Sequence, residues 1–151
     1  MKLVSRILLV LFLFQTSSSF ACSCKKMKDV KTEFERSDIV FVGKVVSKEI
    51  IEIEHDNKMY SFHKYEIKAY KAYKGTFDDR IITILTIAHV GACRANFEID
   101  SNYILYGFKN NLWSHYGEYD YSEPQTYWTS RCHRNRKYSK EEIEAIEKIA
   151  N

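Results

Sequence analysis

Two cysteines one residue apart, Cys22 and Cys24, with only Cys93 and Cys132 elsewhere in the chain, set the tightest limit on what this sequence can fold into. In an extended segment residues i and i+2 project to the same side. Both cysteines can therefore be tied to the body of the protein while Ser23 points away from it. The result is a rigid chain end that faces outward.

The residues ahead of the pair have the layout of a secretory signal. Lys2 and Arg6 supply a positive start, residues 7–14 are an unbroken apolar run, and Ser19-Phe20-Ala21 places small residues at the two positions a signal peptidase reads. The apolar run is too short to cross a bilayer, which takes about 20 residues. Residues 1–21 are therefore expected to be removed as a signal peptide, leaving Cys22 as the mature N-terminus of an exported protein, secreted or periplasmic. A lipid anchor on Cys22 ranks second, because Ser19 and Phe20 fit a lipidation signal poorly.

Removing residues 1–21 from 151 leaves 130, enough for one domain over residues 22–151 with a single core. The formal charge of +3 falls to +1, since Lys2 and Arg6 leave with a segment that holds no acid. A nearly neutral export product is not a general nucleic-acid binder. Four cysteines in such a domain read as two disulfides. A Cys22–Cys24 bridge would close a very tight ring, so each is expected to reach one of Cys93 and Cys132, in an order that spacing leaves open. Each long loop so closed stabilises by about 4 to 5 kcal/mol at most on chain-entropy grounds. A four-cysteine zinc site is the rival reading, but zinc cysteines come in C-x2-4-C pairs and neither Cys93 nor Cys132 has such a neighbour.

The rest of the chain reads mainly as sheet. Val30 and Phe34 share one face of a short helix, with Lys28, Lys31, Glu33 and Glu35 solvated. Residues 39–47 form an apolar strand in which Gly43 marks a barrel bend or a close backbone approach. That strand continues through Ile51 and Ile53 to a turn at His55-Asp56-Asn57. In residues 60–74, Tyr65, Ile67 and Ala69 keep one phase, which then slips around Tyr70 to Tyr73 as a β-bulge would make it slip. Further strands fall at residues 80–87 and 103–108, and a fifth at 116–121 or 126–130. Ser139-Lys140-Glu141-Glu142 has the form of a capping box ahead of Ile143, Ile146 and Ile149 at helical spacing. Five short strands between a short N-terminal helix and a C-terminal helix fit a partly open Greek-key barrel of the OB type, closed by two disulfides.

Little in this pattern suggests catalysis. There is no G-x-S-x-G, H-E-x-x-H or phosphate-loop motif, and His55, His63, His89, His115 and His133 are scattered without ligand spacing. No enzyme activity, cofactor or nucleic-acid partner is expected. The basic run Arg131, His133, Arg134, Arg136 and Lys137 reads as a solvated connection in preference to an acidic-polysaccharide site.

The Cys22-Ser23-Cys24 start, the helix with Phe34, the strand at residues 39–46, the stretch Tyr65-Glu66-Ile67-Lys68 to Tyr73-Lys74-Gly75, then Cys93 and Cys132, resemble the N-terminal inhibitory domain of the tissue inhibitors of metalloproteinases, with netrin-like modules as wider relatives. The resemblance implies the pairings Cys22–Cys93 and Cys24–Cys132. It implies a monomer whose Cys22 α-amine and carbonyl chelate the catalytic zinc of a target metalloproteinase, the only metal contact expected. Ser23 would enter the target's specificity pocket, and Lys25, Lys26, His89 and Val90 would be further target contacts. Lys25 and Lys26 stand where that family usually carries apolar residues or proline. A reading of a different class makes the chain a netrin-like OB-fold binding module without a protease partner, in which the cysteine pair is purely structural.

Overall fold

The computed structural model describes residues 24, 27–55, 57–88, 93–109 and 125–150. The expected signal peptide at residues 1–21 and the alternative fifth strand at residues 116–121 lie outside the described residues.

Helix α1, Val30–Arg36, starts where the Asp29 carboxylate accepts from the Thr32 N–H at 2.8 Å. It stops at Ser37, whose N–H and hydroxyl both donate to the Glu33 carbonyl. Lys74 Nζ then donates to the Phe34 and Glu35 carbonyls at 2.8 and 2.6 Å, a cation placed on the last turn's orphan acceptors. Phe34 is buried as its spacing requires. Glu33 is wholly buried, against the solvated position expected, because its carboxylate meets a histidine from the other end of the chain.

Among the described residues six strands form one sheet: β1 Ile39–His55, β2 Lys58–Lys74, β3 Ile81–Ile87, β4 Asn102–Gly107, β5 Thr126–Trp128 and β6 Arg136–Lys137, in the order β5-β3-β2-β1-β4-β6. All neighbours are antiparallel except β3 and β5, which run parallel. Among the described residues no ladder closes the sheet. An isolated antiparallel bridge, Phe108 to Trp128, brings the chain just past β4 against β5 through N–H···O bonds of 2.9 and 2.7 Å. The mainly β architecture between two helices is the one expected. To its five strands β6 adds a sixth, because Arg136 and Lys137, read in sequence as connection, lie opposite Ile104 and Tyr103.

The phase slip in β2 is real. Phe41 pairs with Ala72 and Val40 with Lys74, and Gly43 pairs with Ala69 after Val42 with Lys71, so Tyr73 and Tyr70 are each skipped; Val46 is skipped on β1. These bulges coil the long hairpin and keep Phe41, Tyr65, Ile67 and Ala69 facing one interior cluster with Ile84, Phe97 and Leu105. The opposite face of β1 and β4 carries Val40, Val42, Ile104 and Tyr106, and there Phe34 and the Ile143–Ile146 stripe of the C-terminal helix α2, Lys140–Ala150, pack. A third cluster, Ile53, Phe62, Leu85 and Trp128, lies where the hairpin leaves the sheet.

Gly43 lies at the tightest crossing. A Cβ there would stand 2.6 Å from Ile67 Cγ2 and 2.9 Å from the Lys68 carbonyl oxygen. Gly43→Ala is therefore expected to lower stability by about 1 to 3 kcal/mol, read as a lower urea midpoint; an unchanged midpoint would contradict this packing.

Candidate functional site

Between β5 and β6 the described chain has no regular strand neighbour, and individual hydrogen bonds hold it in place instead. The Thr129 N–H donates to the Leu85 carbonyl at 3.0 Å, and the Thr129 hydroxyl donates to the Tyr106 carbonyl. Asn135 then stands in for a strand: its Nδ2 donates to Thr129 Oγ1 and to the Ser130 carbonyl, while its Oδ1 accepts from the Tyr106 N–H at 3.0 Å. Into this frame the cysteines are set. The Arg131 N–H donates to the Cys93 carbonyl at 2.9 Å, so Cys93 and the residue before Cys132 lie side by side. Cys132 is disulfide-bonded to Cys24, with 5.3 Å between their Cα atoms. Cys93 is disulfide-bonded as well, and its partner lies outside the described residues.

Three members of the basic run after β5, His133, Arg134 and Arg136, are spent on buried acids, while Arg131 and Lys137 stay exposed as a solvated connection would. His133 Nδ1 lies 2.8 Å from Glu33 Oε1, and the imidazole stacks on Phe108 at 4.1 Å between centroids. Arg134 donates to both oxygens of Glu142 at 2.6 and 2.8 Å, and Arg136 reaches the same carboxylate at 3.1 Å. The Tyr106 hydroxyl donates to Glu142 as well, at 2.8 Å. Lys137 pairs with Glu98. Arg134 also donates to the Lys28 carbonyl at 3.1 Å, tying the segment between Cys24 and α1 to this hub. Burial alone would raise the Glu142 carboxyl, but the bonds from Arg134 and Tyr106 and the charges of Arg134 and Arg136 together hold it below its ordinary value. Burial first and Glu142 second push the Tyr106 phenol far up.

On the other side of Cys93 the residues that follow it line one end of the interior. Arg94 Nη1 donates to His63 Nε2 at 3.3 Å, which places the ring proton of His63 on Nδ1. That Nδ1 is buried and has no hydrogen-bond partner among the described residues. Lys48 stands over the Tyr65 ring and donates to Asn96 at 3.3 Å. Burial, then Lys48 and Arg94, lower the His63 pKa, so the imidazole stays neutral. Ala95 N–H on Thr86 Oγ1 fixes the chain that leads away from the cysteine. Sequence reading missed this cluster, since β1, β2 and a loop contribute one cation or imidazole each without any shared motif.

Of the residues expected to act, Cys24, Cys93 and Cys132 are brought together in this region. Cys22, Ser23, Lys25, Lys26, His89 and Val90 lie outside the described residues. Among the described residues no group of three or more His, Cys, Asp or Glu could hold a metal ion, and no helix is long and apolar enough to cross a membrane. The sequence pattern of the family tissue inhibitor of metalloproteinase matches residues 20–140, from just before the cysteine pair to the start of α2. The chain belongs to that family. A search of curated proteins found no match. Tissue inhibitors of metalloproteinases are secreted inhibitors rather than enzymes, and the family implies a metalloproteinase as the class of partner.

The Glu142 hub makes two expectations. Glu142→Ala strands Arg134 and Tyr106 and should cost about 3 to 5 kcal/mol by denaturant unfolding. Because the folded pKa is depressed, the carboxylate's contribution is present above its unfolded pKa of about 4.3 and is lost as pH falls through the lower folded value. The wild type should therefore lose stability more steeply than Glu142→Gln on acidification below about pH 4; parallel curves would contradict the assignment.

Proposed function

We propose that the chain is an exported metalloproteinase inhibitor whose working end is created by cleavage after Ala21, within a single OB-type domain of residues 22–151. The new α-amine and the carbonyl of Cys22 chelate the catalytic zinc of the target, and Ser23 projects into its specificity pocket. Lys25, Lys26, His89 and Val90 flank that contact.

The observation that carries this reading is the bond from the Arg131 N–H to the Cys93 carbonyl, which seats Cys93 beside the residue before Cys132. Two neighbouring anchors match a Cys-x-Cys end, whose side chains leave on one side. With Cys24 bound to Cys132 and Cys93 already bridged, Cys22 is the cysteine left for Cys93. The parallel β3–β5 pair and the isolated bridge from Phe108 to β5 support the OB-type assignment.

The chemistry suits neutral pH. An unperturbed α-amine has a pKa of about 7.7 to 8.0, so a usable fraction is neutral near pH 7, and zinc favours the deprotonated ligand. Two bridges hold the ligating atoms in place before the target arrives, which reduces the ordering cost of binding.

The test compares the chain beginning at Cys22 with one carrying a single alanine before it, each checked for fold by circular dichroism and assayed against a panel of zinc proteases. Inhibition by the first and not the second is expected, since an acylated nitrogen no longer chelates. Equal inhibition would overturn chelation. Inactivity of both would favour the binding-module reading. Ser23→Gly should weaken inhibition and leave the unfolding midpoint unchanged, because an outward side chain contributes nothing to the core.

A further inference from the structure

Strands β1 and β2 each run for 17 residues, but β4 pairs with β1 only from Ile39 to Lys44. Val45 adds one bond to Ser101 and one to Asp100. Past Val45, no described residue pairs with the outer side of β1. The direction of the outer groups follows from the opposite strand. The Ser61 carbonyl accepts from the Ala88 N–H at 2.9 Å, so the Ser61 backbone turns toward the β3 side. Residues opposed in an antiparallel pair turn both inward or both outward. Glu52, opposite Ser61, therefore turns its N–H and C=O outward, and by alternation so do Lys48, Ile50 and Glu54. All four are exposed, Ile50 by 65%.

Open edges of this length are usually defended by charges that repel a second strand. Here the charges match a copy of themselves. We propose that the outer edge of β1 pairs two copies of this chain antiparallel, about a twofold axis at Ile51, giving a dimer in place of the monomer that the sequence suggests. In that register Lys48 faces the partner's Glu54 twice, Ile50 faces the partner's Glu52 twice, and all four outward residues on each strand complete their ladder bonds. Sliding two residues toward the turn sets Glu52 against Glu52. Sliding two residues the other way places Glu54 opposite the bulged Val46. A slide of one residue pairs outward groups with inward ones. On the other face Ile51, half-buried against Ile53 and Phe62, meets its own copy, so the two third clusters join across the axis. The proposal does not depend on the Cys22 end.

The experiment is light-scattering mass and amide exchange of the secreted chain over a range of concentration. The mass should double as concentration rises, with amides 48, 50, 52 and 54 gaining protection in the dimer. Lys48→Glu and Glu54→Lys should each weaken dimerisation roughly tenfold, since each sets two like-charge pairs across the axis. The Lys48→Glu/Glu54→Lys double variant should regain it. Lys48 also touches Tyr65 and Asn96, so Glu54→Lys, on an exposed side chain, keeps the test readable if Lys48→Glu fails to fold. A monomer at every concentration, protection elsewhere, or a dimer indifferent to Glu54→Lys would overturn the proposal.

Discussion

A carboxylate buried beneath the C-terminal helix holds the two ends of this chain in register. Glu142 collects Arg134, Arg136 and Tyr106, and through Arg134 it reaches the Lys28 carbonyl in the segment between Cys24 and α1. An ion pair this deep is weak evidence for stability, because desolvation offsets much of the attraction. Its value is selective: another docking of α2 would leave a buried acid without its cations. The His133–Glu33 contact repeats the device beneath α1, so both helices are keyed to one loop, the loop that also carries Cys132.

That keyed loop fixes the seats of Cys93 and Cys132, the two anchors that the proposed inhibitory end requires. The frame made by Asn135 and Thr129 satisfies backbone that no ladder reaches, and the Arg131 N–H clasps the Cys93 carbonyl. Anchors held this way do not drift relative to each other. A pair of cysteines separated by one residue is useful as a positioning device only under that condition.

Much of the fold was legible because it follows from period and punctuation. The alternation of Tyr65, Ile67 and Ala69, its slip near Tyr70, the turn at Asn57 and the isoleucine stripe of α2 each have a local cause that a short window contains. What the sequence hid was acid burial. Glu33 and Glu142 sit among charged neighbours on amphipathic helices, where a carboxylate facing inward reads the same as one facing water. Glu142 looked like the return arm of a capping box; its side chain instead serves Arg134 and Tyr106, while the Ser139 hydroxyl accepts only a long 3.5 Å bond from the Glu142 N–H. Strand β6 was invisible at two residues. That Cys24 reaches a distant cysteine was legible in the tight ring a Cys22–Cys24 bridge would close, whereas Lys48, His63 and Arg94 meet only because the topology brings β1, β2 and the loop after Cys93 to one end of the interior.

The bridge between Cys24 and Cys132 spans 108 residues and encloses every strand but the last. A chain threaded out of the cell N-terminus first must expose Cys24 long before its mate emerges, with Cys22 and then Cys93 as nearer temptations. An oxidase that joins thiols in order of appearance would produce the wrong knot, so correct maturation requires either that the early thiols wait until β5 has docked or that an isomerase undoes the first choice.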